Sequence, residues 1–203
     1  MDISVNAHVD CSDGSFGRTT YIILQPNTRR VTHVVAERKH GAHKEYLVPI
    51  GLIEESSPDT ILLRCARREV EAMGEFAETR YAVVADPAFV AGVDAALLTG
   101  AGDEPMVLAD EEIHVPEGEI ALTSGVLVVA TDGPVGRLGE LMVDGKTGKA
   151  THLVLQEGHI WRHKRIVIPI PAVDHIASTA IYLTLAKQDI EGLPTDKRRY
   201  SLA

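Results

Sequence analysis

The chain has 203 residues, enough for one or two domains, and even half of it could bury its own core. Its composition, 45% hydrophobic and 24% charged, is that of a globular protein, and no apolar run reaches the roughly 20 residues that cross a bilayer. The net charge of −9 is concentrated in residues 75–120, which hold one arginine and eleven carboxylates. We therefore expect neither membrane insertion nor direct binding to nucleic acid.

The beginning of the chain and its cysteines bear on location. The first residues, MDISVNAHVD, contain neither the basic nor the apolar region of an export signal. Cys11 and Cys65 are too few for the disulfide framework of a small secreted protein. These two features predict a cytoplasmic protein.

An internal repeat organises the sequence. DGSFGR at residues 13–18 returns as DGPVGR at 132–137, and an offset of 119, later 120, keeps apolar positions in register. Such self-similarity indicates duplication of one structural unit. We expect the following parts: one repeat over 1–74, an acidic connector over 75–119, a second repeat over 120–194, and a basic flexible tail over 195–203.

Within each repeat the apolar runs are short, β-branched and separated by turn residues, which is typical of strands. In the second repeat they read VLVVA, GELMVD, THLVLQ, RIVIPI and IYLTLA. Asp144-Gly145 with Thr147-Gly148, and Glu157-Gly158, are hairpin signals. The pattern predicts a mainly β protein of two small, closed antiparallel β-barrels. Each repeat ends in a short helix, at ARREVEAM or at KQDIEGLP, where Pro194 supplies a stop.

The connector carries its own signals. YAVVAD at residues 81–86 is a candidate strand, and Asp86-Pro87 is an N-cap followed by proline at the first helical position. Apolar residues follow at helical spacing, and Gly100 is placed to end this short helix. From Gly100 to Gly118 the acidic, Gly- and Pro-containing stretch predicts a flexible joint.

The DG-x-x-GR motif has two candidate roles, as a phosphate-binding loop or as a structural turn. It lacks the Gly-Lys-Ser/Thr of a P-loop and the third glycine of a dinucleotide fingerprint, and a strand-like run follows where a helix would have to begin. We therefore expect structural turns, in which the aspartate and the glycines serve the backbone. The residues concerned are Asp13, Gly14, Gly17, Asp132, Gly133 and Gly136.

On these motifs the sequence resembles the PRC-barrel family. The second repeat carries A-x-DG-x-x-G, a D-x-x-TG turn, THLVL, RIVIPI and a closing IYLTLAK. The first matches more loosely, because Gln25-Pro26-Asn27-Thr28 replaces the Asp-Gly-Lys-Thr turn and Arg29 replaces Gly148. The resemblance implies a small β-barrel used for assembly or docking. Relatives of this family include the cytoplasmic part of the photosynthetic reaction-centre H subunit and the C-terminal half of a ribosome maturation factor. No catalytic residues come with the resemblance.

Histidines in the same hairpin of each repeat raise the question of a metal site. His40 and His43 lie three residues apart, and His159 and His163 lie four apart. If the repeats were related by a twofold axis, the four imidazoles could converge on zinc or nickel. No cysteine or carboxylate stands at ligand spacing, however, so we expect solvated loop histidines and no cofactor.

Two further histidines, His33 and His152, occupy the same register, after a threonine at a strand start. A proton relay is one possible role, and we expect instead a histidine at the barrel rim that bonds to backbone. No Gly-x-Ser-x-Gly elbow or equivalent appears in the chain. We therefore expect no catalytic activity.

The cysteines are judged by their partners in the second repeat. Cys11 aligns with Ala130, and Cys65 aligns with Leu185. Because apolar residues replace them, we expect both cysteines to fill a core and not to attack a substrate.

Trp161, the single tryptophan, marks the candidate interaction site. It lies in GHIWRHKR, where the first repeat has GAHKEY. A large aromatic residue beside arginine in an exposed hairpin is typical of an interface anchor, although the ring could instead cover its own barrel mouth. The predicted interaction residues are Ile160, Trp161 and Arg162.

These observations predict a prokaryote-like, non-catalytic interaction or assembly module. Two linked copies present two related surfaces and raise the effective concentration at a partner with two sites. Alternatively, the copies pack on each other and form one composite surface. The expected partner is a protein, such as a membrane-complex or ribosomal protein, or a second chain in a homodimer. The alternative function is a ribosome- or RNA-linked assembly factor, and the third is an enzyme or small-ligand binder with a site between the barrels.

Overall fold

The computed structural model describes residues 1–39, 44–84, 106–156 and 165–195, with backbone alone for 77–84, 106–112 and 156. Within these ranges the protein is mainly β, as the sequence predicts, with sixteen strands and two short α-helices. No helix in the described ranges is long and apolar enough to cross a membrane.

The elements of the two repeats correspond one to one. The first repeat contains β1 Asp2–Ser4, β2 His8–Cys11, β3 Gly14–Gln25, β4 Arg30–Arg38, β5 Glu45–Pro49, β6 Ile53–Ser56, β7 Thr60–Leu63 and α1 Arg67–Glu71. The connector contains β8 Ala77–Val84 and β9 Met106–Ile113. The second repeat contains β10 Ile120–Leu122, β11 Leu127–Ala130, β12 Gly133–Val143, β13 Ala150–Gln156, β14 Ile166–Pro169, β15 Val173–Ile176, β16 Ala180–Leu183 and α2 Lys187–Glu191. The five predicted strands of the second repeat and both repeat-end helices are confirmed.

Both repeats are barrel-like units with the same strand order. The order is β5-β4-β3-β2-β7-β6 in the first and β14-β13-β12-β11-β16-β15 in the second. Most neighbours are antiparallel, as predicted, but β2 pairs with β7 in parallel, and β11 pairs with β16 in the same way. Short apolar runs at even spacing carry no information on strand direction, so the sequence did not reveal this ladder. β6 and β15 were not predicted either, and each forms a hairpin with the last strand of its repeat.

The repeats exchange one strand each. β1 pairs antiparallel with β12 of the second repeat, and β10 pairs antiparallel with β3 of the first. Ile3 lies opposite Leu141, and Leu122 lies opposite Ile22, which is the same register shifted by the repeat offset. On β12 the exchanged strand follows directly after the stretch that pairs with β11. Neither sheet is complete without the other repeat.

A third contact joins equivalent residues of the two repeats. Arg30 and Lys149, which the offset of 119 superposes, face each other in an antiparallel bridge. The Val31 N–H donates to the Gly148 carbonyl oxygen at 2.9 Å, and the equivalent hydrogen bond runs back from the second repeat at the same length. Such a contact is isologous, the kind that two-fold homodimers make. The repeats therefore pack on each other as the subunits of a dimer would.

One cluster of buried side chains, mostly Val, Ile and Leu, includes residues of both repeats. Ile3 and Leu122, from the exchanged strands, are among its fully buried members. Burying a side chain of this size stabilises a fold by roughly 1.5 to 3 kcal/mol. Met1–Phe76 and Val115–Ala203 accordingly form one compact unit.

The connector forms a second unit, Ala77–His114, which contains a long hairpin. β8 pairs antiparallel with β9 in continuous register from Ala77 opposite Ile113 to Val84 opposite Met106. The predicted strand at YAVVAD is confirmed within β8. The flexible joint predicted between Gly100 and Gly118 is wrong over β9, because MVLADEEI finds a complete partner strand in β8. The predicted connector helix after Asp86-Pro87 lies outside the described residues.

Candidate functional site

The aspartate of each DG-x-x-GR motif caps the helix that ends its own repeat. Asp13 Oδ1 accepts the Arg67 backbone N–H at 2.9 Å, and Asp132 Oδ1 accepts the Lys187 backbone N–H at 3.0 Å. The hydrogen bond from the Arg67 backbone, aided by its guanidinium 3.4 Å away, holds the pKa of the Asp13 carboxyl below its ordinary value. The carboxylates are therefore engaged in holding a turn against a helix start.

The glycines of the motif meet two different backbone requirements. Gly14 and Gly133 have φ of +128° and +127°, a region that side chains rarely allow. Gly17 has no space for a side chain, because a Cβ there would lie 1.7 Å from the Glu37 carbonyl oxygen. Gly136, its equivalent, pairs with Val128 on β11. These contacts are those of a structural turn, and no phosphate-binding helix follows the glycines.

The residues that the sequence singled out for binding lie outside the described part of the chain. The interaction residues Ile160, Trp161 and Arg162 lie outside the described ranges, and so do the histidines of the metal hypothesis, His40, His43, His159 and His163. Among the described residues, no group of three or more His, Cys, Asp or Glu side chains is arranged to hold a metal ion.

The two histidines in equivalent register bond to side chains. His33 Nδ1 lies 3.0 Å from the Thr32 hydroxyl, and His152 Nδ1 lies 3.2 Å from the hydroxyl of the threonine before it. The expectation of a backbone partner was wrong, because the hydroxyl of the preceding threonine lies within hydrogen-bond distance of Nδ1 in both repeats. Glu119, just before the exchanged strand β10, accepts the Thr32 hydroxyl at 2.7 Å. Burial lowers the pKa of His33, and the nearby Glu119 carboxylate offsets this only in part.

The second repeat has an apolar outer face on its central strands. Leu127 on β11 and Tyr182 on β16 are 39% and 38% exposed, and Val129 lies next to Tyr182 in the parallel ladder. His175 on β15 lies opposite Tyr182, and their rings stack with centroids 4.3 Å apart. Asp174 Oδ2 lies 2.8 Å from His175 Nδ1 and orients the imidazole. We call Leu127, Val129, His175 and Tyr182 the outer patch.

The first repeat presents polar groups at the same register. The positions that correspond to the outer patch hold His8, Asp10, Glu55 and Leu62. Asp10 lies next to Leu62 in the parallel ladder, and Glu55 lies opposite Leu62, so the backbone arrangement is the same. Of these four side chains, Leu62 is half-buried and His8 and Glu55 are exposed. The two faces therefore differ in chemistry and not in fold.

The interface between the two repeats also differs on its two sides. Glu140 on β12 is fully buried, lies 2.7 Å from Arg165 Nη2, and accepts the Ser4 hydroxyl of β1 at 3.3 Å. The position of Glu140 is occupied in the first repeat by Tyr21, whose ring packs on Phe76 at 5.0 Å. One side of the interface between the repeats thus holds an ion pair, and the other holds an aromatic pair.

A hollow beside the DGSFGR turn is lined by Ser15, Phe16, Arg38, Arg67 and Glu71, all of the first repeat. Its two guanidinium groups already have carboxylate partners: Arg38 lies 3.0 Å from Glu71, and Arg67 lies 3.4 Å from Asp13. The charges of the hollow are balanced internally, which leaves little attraction for an anionic ligand.

Comparison with protein-family models found no match, and neither did a search of curated proteins. The resemblance to the PRC-barrel family therefore rests on the motifs of the chain itself and stays a prediction.

Sequence reasoning missed the outer patch, although the signal was present. Alignment of the repeats places His8 over Leu127 and Asp10 over Val129. A polar residue that is replaced by an apolar one at an outward strand position is the pattern of an acquired surface.

Proposed function

We propose that the chain is a tandem PRC-barrel-like protein that acts as a non-catalytic docking module, with the outer patch of the second repeat bound to a protein partner. One observation carries the proposal: two repeats with the same fold and register differ at this face, where His8 and Asp10 of the first correspond to Leu127 and Val129 of the second, beside the stacked rings of His175 and Tyr182. Aromatic side chains that are anchored by a neighbour are the residues most often central to interfaces.

The composition of the outer patch indicates what kind of partner fits it. Tyr182 offers a ring and a hydroxyl, and Leu127 and Val129 offer uncharged aliphatic surface. Arg137, which lies opposite Leu127 on β12, and His175 supply polar groups at the edge. An apolar protein surface edged by acidic or hydrogen-bonding groups complements this arrangement. The predicted hairpin anchor Trp161 belongs to the same repeat.

The experiment uses the chain as bait in native lysate at low and moderate salt, with bound proteins identified by mass spectrometry. Tyr182→Ser is compared with Leu62→Ser, the matched variant at the equivalent position of the first repeat. Loss of a central aromatic anchor costs at least about 2 kcal/mol, or roughly thirtyfold in affinity, so Tyr182→Ser should lose partners that the wild type and Leu62→Ser both retain. Partners retained equally by both variants would contradict the assignment of the face.

The identity of the captured proteins separates the remaining alternatives. Subunits of a membrane complex would support docking on such a complex, whereas ribosomal proteins would support a ribosome-linked assembly factor. A cytoplasmic location is a further prediction, and cell fractionation tests it.

Trp161 provides a second test within the same repeat. We expect Trp161→Ala to weaken partner binding or self-association while the fold stays intact, because the residue is predicted to be an exposed anchor. His43→Ala in the equivalent hairpin is the control and should do little. Cooperative melting of the Trp161 variant many degrees below the wild type would place the ring in the barrel core and remove it from the interface.

A further inference from the structure

The two cysteines lie side by side in the core of the first repeat. Cys11 ends β2, and Cys65 follows β7, the strand that pairs with β2 in parallel. The Ser12 N–H donates to the Cys65 carbonyl oxygen at 3.0 Å, so the two backbones are adjacent here. Both thiols are buried and free, and the interaction between them contributes to the pKa of each. A disulfide requires proximity of this kind.

The second repeat makes the same backbone contact without sulfur. The Thr131 N–H donates to the Leu185 carbonyl oxygen at 3.0 Å, which reproduces the geometry at Ser12 and Cys65. Ala130 and Leu185 occupy the two cysteine positions. The fold therefore needs only apolar side chains at this corner, and a thiol at both positions of one repeat is additional chemistry.

We propose that Cys11 and Cys65 form a redox-controlled disulfide that locks this corner of the first repeat. On closure the two thiols lose two protons and two electrons as the S–S bond forms. Hydrogen peroxide accepts them and gives two waters, or a low-molecular-weight disulfide accepts them and leaves as two thiols. A thiol reductant reverses the reaction.

Burial sets the rate of closure. Desolvation raises the pKa of the Cys11 thiol to about 12, and it also raises the pKa of Cys65. Because the thiolate is the attacking species, the folded protein at neutral pH reacts slowly. The lock therefore closes while the corner is open, during folding or local unfolding, and behaves as a lasting clamp and not as a rapid sensor.

The position of the bridge defines its effect. It joins the last residue of β2 to Cys65, which lies two residues before the start of α1. The Asp13–Arg67 contact is adjacent. The bridge closes the loop that runs from Cys11 to Cys65, which removes conformational freedom from the unfolded chain. The midpoint of thermal unfolding should therefore rise by about 5 to 10 °C. The second repeat has no equivalent bond.

The test begins with reduced, unfolded full-length chain, so that burial does not limit the reaction. The chain is refolded in a mixture of reduced and oxidised glutathione, quenched, unfolded and treated with N-ethylmaleimide. We expect most chains to be about 2 Da lighter than the reduced protein, without label, and to yield a peptide that links Cys11 to Cys65. Chains with two labels or with glutathione adducts as the main product would overturn the proposal, and so would a linked chain that melts below the reduced one.

The control variants take their residues from the second repeat. Cys11→Ala and Cys65→Leu should each fold in the reduced state and show no rise in melting temperature in the glutathione mixture. If either single variant gained the same 5 to 10 °C as the wild type, the stabilisation would not come from the bridge, and the proposal would be refuted.

Discussion

The first repeat carries His8, Asp10 and Glu55 where the second carries Leu127, Val129 and His175, yet the hydrogen-bond registers of the two faces are equivalent. The DG-x-x-GR turns, the capped helices and the strand order are also shared. What has been retained after duplication is the set of backbone contacts that close each repeat onto the other. What has diverged is the outward surface, where substitution costs little stability.

This comparison separates residues that serve the common framework from those that serve one repeat. The framework residues should be equally sensitive in both repeats, whereas residues that differ between the repeats should show effects in one alone. Four sets of variants test this division.

Gly17→Ala should have the largest effect. The added Cβ would lie 1.7 Å from the Glu37 carbonyl oxygen, so β3 and β4 would have to separate, at a cost above about 4 kcal/mol. Gly51→Ala is the matched control in the same repeat, because a Cβ there meets no atom within 4 Å and should change stability by less than about 0.5 kcal/mol. Gly133→Val and Gly136→Val should damage folding in the second repeat. Chemical denaturation measures all four, and a normal stability for Gly17→Ala would refute the close approach.

Glu140→Ala should have the next largest effect, because it leaves Arg165, only 13% exposed, without this carboxylate. Removing one partner of a buried ion pair costs about 3 to 5 kcal/mol. The control is Glu71→Ala, because the side chains of Glu71 and its partner Arg38 are 39% and 28% exposed, and loss of a solvated ion pair costs below about 1 kcal/mol. Equal melting temperatures for the two variants would show that burial does not distinguish the pairs.

Arg29 tests a position of the interface between the repeats at which the two repeats carry different residues. It has φ of +54° where the second repeat has Gly148, and its guanidinium donates to the carbonyls of Ile170 and Val173 at 3.1 and 2.7 Å. Arg29→Ala should lose about 2 kcal/mol of stability with these hydrogen bonds. Arg29→Gly should lose about 1 kcal/mol less, since glycine relieves the left-handed backbone. If Arg29→Gly proved the less stable of the two, backbone strain at this position would be excluded.

Asp13 should show the smallest effect, and that effect should disappear in acid. Its carboxyl pKa lies below the ordinary value of 3.8 because the Arg67 backbone N–H stabilises the charged form. A lowered pKa means that the stabilisation is complete above pH 3.8 and is lost as the pH falls through the folded-state value. Asp13→Asn should therefore melt below the wild type at pH 6, and the difference should shrink below pH 3.8. A difference that stays constant with pH would show that the charge of Asp13 does not matter.

Much of the framework could be predicted from the residues. β-branched runs and Asp-Gly turns identify most strands of the second repeat, and the internal repeat transfers them to the first. The exchange could not be predicted, because β1 and β10 have three residues each, too short for a periodic pattern, and their partners lie in the other repeat. β9 was missed because its carboxylates suggested a joint, and a partner strand outweighs such local preference. Of the candidate site, only the turns were predicted. Alignment of the repeats shows that the outer-patch positions differ, but the exposure of Tyr182 depends on which way its strand faces.

The most direct test of the docking face is hydrogen–deuterium exchange of the chain with its captured partner bound. Backbone amides of β11, β15 and β16 should exchange more slowly in the complex, while those of β2, β6 and β7, the equivalent strands of the first repeat, should be unchanged. Slower exchange in the first repeat alone, or equally in both, would contradict the account that the second repeat has acquired the binding surface.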